Sequence, residues 1–171
     1  MQGVRKAVVL DIDDTITSRK CTISSKSHAC QSDQNFILLV VEMAAMANRR
    51  PPDWKRRLIY STARRKPTTH GTPERVTRSL REISENDQSI YTFPKTGDKT
   101  SEAVANNKVS DLNKIANKEG IACNKNVILV DDNIANCEAA RLNDFTAIHV
   151  PVGGIDQDTV NELKKELETS R

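Results

Sequence analysis

Apolar residues along this chain gather into five short runs rich in β-branched residues, separated by longer stretches whose apolar positions recur at helical spacing. The runs lie at 8–10, 57–62, 90–93, 127–130 and 146–150. Their lengths suit buried strands. Between them, residues 36–47 are apolar almost all the way round, as in a helix buried on a wide face; Ser32-Asp33 precedes this helix and Arg49-Arg50-Pro51-Pro52 stops it. Thr72-Pro73-Glu74 opens a second helix with Val76, Leu80 and Ile83 inward. A third, opened by Lys108, carries Leu112, Ile115 and Ala116 and ends at Gly120. Small residues at 134–141 form a fourth, and Val160, Leu163 and Leu167 mark a last helix at about 156–168. Strand and helix alternate five times. The fold predicted is a three-layer α/β/α sandwich, Rossmann-like, with a mainly parallel five-stranded sheet and right-handed crossovers, in a single domain over residues 1–171.

Polar residues at the ends of three runs carry the candidate chemistry. The first run ends in Asp11-Ile12-Asp13-Asp14-Thr15 and the fourth in Asp131-Asp132-Asn133. In extended backbone residues i and i+2 project to one side, so Asp11 and Asp13 converge and Asp14 points away. Carboxylates held that close repel unless a proton or a hard cation lies between them, and Mg²⁺ is the expected guest. The second run ends in Ser61-Thr62, followed by Arg64, Arg65 and Lys66. A short hydroxyl and its backbone N–H can hold a phosphoryl oxygen without adding charge to an acidic site. Parallel sheets place such sites at the carboxyl ends of their strands, so these three bases lie beside the site and the basic residues at 49–57 lie at the opposite edge.

In this order the three ends, with Lys108 before the last of them, resemble the four motifs of the haloacid dehalogenase-like (HAD) superfamily. The resemblance implies a Mg²⁺-dependent phosphatase that works through an aspartyl-phosphate. Asp11 would be the nucleophile and Asp13 the general acid, then the base for water. Thr62, with Ser61 as the alternative, would bind the substrate phosphate, as would Lys108, for which Lys95 and Lys99 are rivals. The metal would be held by Asp11, the Asp13 backbone carbonyl and Asp132. Asp131 would support this shell by orienting Lys108 or a water, and Thr15 would fix the turn. Residues 16–31 would form a flap, and the intervals between motifs leave no room for a sizeable cap domain. Capless members act on macromolecules, which makes a phosphoprotein, phosphotyrosine in particular, the favoured substrate. Asp14 stands where the family often has Gly and some capless protein phosphatases have Glu. A nucleic-acid end phosphatase and a small-metabolite phosphatase are the alternatives, and a non-catalytic phosphate-binding module is the reading from another class.

Composition narrows the rest. The 171 residues carry a net charge of only +3, and six aromatic side chains offer little for stacking bases. Cys21, Cys30, Cys123 and Cys137 have no zinc or redox spacing and suit free thiols in a reducing compartment. The apolar run before Asp11 is too short for a signal peptide, and Glu42 interrupts the run at 36–47, itself too short for a membrane span. These features suit a cytoplasmic protein with no membrane partner; leaderless export stays open. His28 reads as a loop residue and His149 as a partly buried strand residue.

Overall fold

The computed structural model describes residues 4–16, 34–49, 58–65, 90–94 and 98–169. Five parallel strands form its sheet: β1 (Ala7–Leu10), β2 (Ile59–Arg65), β3 (Ile90–Phe93), β4 (Val127–Asp131) and β5 (Thr146–His149), in the order β3-β2-β1-β4-β5. Every pairing is parallel, so the order reverses at β1, with later strands added on both sides. Parallel neighbours need crossovers, and the described ones are helices.

Alternation along the central strands builds two cores. Val8, Leu10, Ile128 and Val130 face α1 (Gln34–Ala47) and α4 (Gln157–Glu168), meeting Ile37, Val40, Ala44, Val160 and Leu163. Ala7, Val9, Ile59, Val127 and Leu129 face the other way, against Leu112, Ile115 and Ala116 of α2 (Ser101–Glu119) and Ala140 of α3 (Ile134–Leu142). The layers are thus those predicted. Both faces of the middle strands are buried, which is why β1 and β4 read as unbroken apolar runs.

Side chains finish the edges that strands do not. Asn48, just past α1, accepts from the Val8 N–H and donates to the Val8 carbonyl, both at 2.8 Å, and so stands in for a strand beside the start of β1. Lys6 donates to the Glu166 and Thr169 carbonyls at the end of α4, and Arg5 pairs with Glu119 at the end of α2.

One helix is longer than predicted. Lys108 does not open α2; it lies in its middle, because Thr100 caps the helix through a bond from the Ala103 N–H at 3.1 Å and Glu102 favours its first turn. Gly120 does end it, at φ 68°, a conformation that glycine adopts without cost. β2 also runs on to Arg65, with an irregular register against β3 between Ser61 and Arg65. The predicted flap beyond Ile16, the helix begun at 72–74, His28, Lys66 and Lys95 lie outside the described residues, as do the side chains of Arg64 and Arg65. No helix among the described residues is long and apolar enough to cross a membrane.

Candidate active site

Strand register brings the predicted residues together. Leu10 pairs with Tyr60 on one side and Val130 on the other, so Asp11, Ser61 and Asp131 follow at one level across three neighbouring strands. By alternation with Val9 and Leu129, Asp11 and Asp131 face α2 and α3. Lys108 reaches this row from α2. Its ammonium donates to Asp11 Oδ1 at 2.8 Å and to the Ser61 carbonyl, and lies 3.3 Å from Asp131 Oδ2.

The ammonium is 1% exposed, so it is compensated almost wholly by protein oxygens. Burial alone would favour its neutral form, but the Asp11 and Asp131 carboxylates override this and raise its pKa. Lys99, by contrast, is exposed and lies 5.7 Å from the centre of the Phe93 ring.

Chain direction changes directly after Asp11. Ile16 and Thr15 donate back to the Ile12 carbonyl at 2.9 and 3.3 Å, and Asp14 takes φ 57°. The backbone after Asp11 is thus a turn, not the extended segment from which Asp13 is expected beside Asp11. Asp13 is half-buried in the turn, and the carboxylate group that forms is Asp11, Asp131 and Asp132, with oxygens within 4.8 Å of one another.

Within that group the acids differ. Asp131 is saturated: its Oδ1 accepts from the Asn133 N–H at 2.9 Å, and its Oδ2 from Asn136 Nδ2 at 3.1 Å and faces Lys108. Asp11 Oδ2 and Asp132 Oδ1 face the hydroxyl of Thr15 at 3.0 and 3.3 Å. Burial raises the pKa of Asp11, helped by Asp131 and Asp132 and opposed by Lys108. Burial likewise raises that of Asp132; a bond to the Asp11 carboxyl opposes this, and Asp131 and Asp14 add to it.

Carboxylates this close repel unless a proton or a hard cation lies between them, so this oxygen-only pair fits a divalent ion such as Mg²⁺. Asp131, committed to Lys108 and two nitrogen donors, fits an orienting role better than a ligand's.

Thr62 is fully buried, one residue past Ser61 on β2. The Ser61 hydroxyl points elsewhere, donating to Asp111 Oδ2 at 2.9 Å. His149, level with Asp131 on β5, is exposed, and its Nε2 lies 2.8 Å from the Asp132 carbonyl oxygen.

Two contributors escaped the sequence reading: Asn136, which holds Asp131, and Asp111, which holds Ser61. Asp111 left a signal, since it interrupts the inward stripe of α2 between Lys108 and Leu112 with a carboxylate.

Comparison with solved structures finds the same fold. A Mesorhizobium loti protein described as a HAD-like phosphatase superposes with a TM-score of 0.60 at 14% identity, over 100% of this chain and 90% of that one. This chain has the HAD-like fold. The N-terminal part of a Bacteroides fragilis protein, containing a phosphatase domain and complexed with Mg, superposes with a TM-score of 0.51 at 11% identity, over 99% of this chain and 42% of that one. No model of a known protein family matches the chain, and no curated protein sequence does. The likeness is therefore one of fold.

Proposed function

We propose that this protein is a Mg²⁺-dependent phosphatase that hydrolyses phosphate monoesters through an aspartyl-phosphate on Asp11. The observation that carries the reading is the Lys108 ammonium seated on Asp11 at 2.8 Å, with Asp132 beside it, at the carboxyl ends of adjacent parallel strands. The likeness to named phosphatases, one of them complexed with Mg, supports it.

Asp11, Asp132 and the Asp13 backbone carbonyl would hold the ion, whose chemistry is to screen the charge of the phosphate. Lys108 neutralises Asp11, so a dianionic phosphate can approach a carboxylate. An Asp11 oxygen forms the bond to phosphorus as the ester P–O bond breaks, and Asp13 gives its proton to the leaving oxygen. Asp13, in the turn beside the site and only half-buried, then takes a proton from water attacking phosphorus, and the Asp11 carboxylate is released with inorganic phosphate. Thr62 is the phosphate-binding hydroxyl, because that of Ser61 is committed to Asp111.

For the substrate we favour a phosphoprotein, phosphotyrosine in particular, because Arg64, Arg65 and Lys66 follow Thr62 in the sequence, and an acidic phosphopeptide would meet them. The core would carry no sizeable cap. The free thiols of Cys123 and Cys137 suit the cytoplasm.

Purified protein with MgCl₂ should hydrolyse an aryl phosphate, and Asp11→Asn should abolish the activity. Absence of hydrolysis, or an unchanged rate in the variant, overturns the reading. Faster turnover of phosphorylated oligonucleotide ends than of phosphopeptides would move the substrate to nucleic acid.

A further inference from the structure

Among the described residues two buried acids stand outside the chemistry above: Glu119, which pairs with Arg5, and Asp111. Asp111 lies on α2 one turn beyond Lys108, is 2% exposed, and accepts from Ser61 Oγ at 2.9 Å and from Asn107 Nδ2 at 3.4 Å. A carboxylate is costly in a position facing the sheet, where the next residue, Leu112, is a fully buried core residue. Among the described residues its buried hydrogen-bond partner is Ser61.

Ser61 is also the residue whose carbonyl receives the Lys108 ammonium, so one helix grips it twice: Lys108 on the main chain, Asp111 on the hydroxyl. The grip falls where β2 most needs it, since register against β3 becomes irregular directly after Ser61. Ladder bonds alone do not fix the strand end there.

We propose that Asp111 is a positioning residue of this centre: by holding the Ser61 hydroxyl it fixes the carbonyl that seats Lys108 against Asp11. Its consequence for turnover rests on the phosphatase reading; its consequence for Lys108 does not. Among the described residues the hydrogen bonds of Asp111 go to Ser61 and Asn107, not to the groups that would hold the cation, so its grip on the centre runs through Ser61.

Two readouts on Asp111→Ala, Asp111→Asn, Ser61→Ala and the double alanine variant test this. The first is the ¹H–¹⁵N resonance of the Lys108 ammonium, visible because the group is buried and assigned by its loss in Lys108→Met. It should persist in Asp111→Asn, which keeps the acceptor, and broaden away in Asp111→Ala and Ser61→Ala. The second is steady-state hydrolysis of an aryl phosphate with Mg²⁺. Each alanine variant should lower kcat by about ten- to a hundredfold, as small misplacements of a catalytic group do, with KM changed less than about twofold. The double variant should be no slower than the slower single one, because both remove the same contact.

Multiplying effects in the double variant, or an Asp111→Ala protein with an unchanged resonance and kcat, overturn the proposal. If the wild type shows no turnover, the phosphatase reading falls and the resonance still decides the role of Asp111. If Asp111→Ala does not fold, Ser61→Ala decides it: a retained Lys108 resonance overturns the proposal and a lost one supports it.

Discussion

The Thr15 hydroxyl accepts the backbone N–H of Asp132 at 3.1 Å and so ties the loop after β1 to the loop after β4. With that lone pair used, its own proton is free for Asp11 Oδ2 at 3.0 Å or Asp132 Oδ1 at 3.3 Å. One buried hydroxyl thus sets the spacing of the two acids that would share a cation. Thr15→Val keeps the shape and leaves the Asp132 N–H without this partner. It should destabilise the protein by about 1–3 kcal/mol, the usual cost of an unsatisfied buried group, while Thr15→Ser should recover most of it. Urea unfolding of the three proteins measures this.

Thr15 also shows how far the sequence could be read. The strands were legible because β1 and β4 are buried on both faces and so spell continuous apolar runs, and Ile90–Phe93 was legible as a short β-rich run. Asp11 and Asp132 were legible because acids at the ends of buried strands have few structural uses, whereas Lys108, on a helix, was legible only through the resemblance. Hidden were the interactions that depend on direction rather than residue type. Nothing local states that the turn after Asp11 closes on the Ile12 carbonyl, or that Thr15 reaches across to a loop 117 residues later. Nor does the inward stripe of Leu112, Ile115 and Ala116 show that the helix already starts at the Thr100 cap, well before Lys108.

Asp14 occupies the left-handed region at φ 57°, where a side chain costs about 1 kcal/mol relative to glycine, though less for Asp than for most residues. Its charge also raises the pKa of Asp132. Asp14→Gly relieves both effects. It should raise the melting temperature of the metal-free protein by about 2–4 °C, and Asp14→Val, β-branched in the same conformation, should lower it. Differential scanning calorimetry separates the two.

Divalent cations should stabilise the fold through Asp11 and Asp132. At a Mg²⁺ concentration of a hundred times its dissociation constant the gain is about 2.7 kcal/mol. Both carboxyls have raised pKa values, so the ion must displace protons they hold unusually tightly, and the gain should shrink as pH falls. Thermal unfolding with MgCl₂ and with EDTA, at several pH values, tests this. Asp132→Asn should remove most of the difference, and a gain that grows on acidification would contradict the assignment.

Asp111 predicts a pH dependence of its own. Burial pushes its carboxyl up to about 6, against the opposing pull of the Ser61 hydroxyl, Lys108 and Lys114. The folded protein therefore holds this proton more tightly than the unfolded chain, whose aspartates titrate near 3.9. The stabilising effect is complete below pH 4 and lost progressively as pH rises to about 6, with no further change above that. Two pKa units correspond to at most about 3 kcal/mol for a group this deeply buried. Asn at 111 cannot titrate. The stability of the wild type minus that of Asp111→Asn, from urea unfolding in metal-free buffer, should therefore fall by up to this amount between pH 4 and pH 6 and stay level to pH 7.5. The contributions of Asp11 and Asp132 largely cancel in the subtraction because both proteins contain them. A difference that rises with pH would mean that Ser61 and Lys108 outweigh burial, and that Asp111 is held ionised well below neutrality.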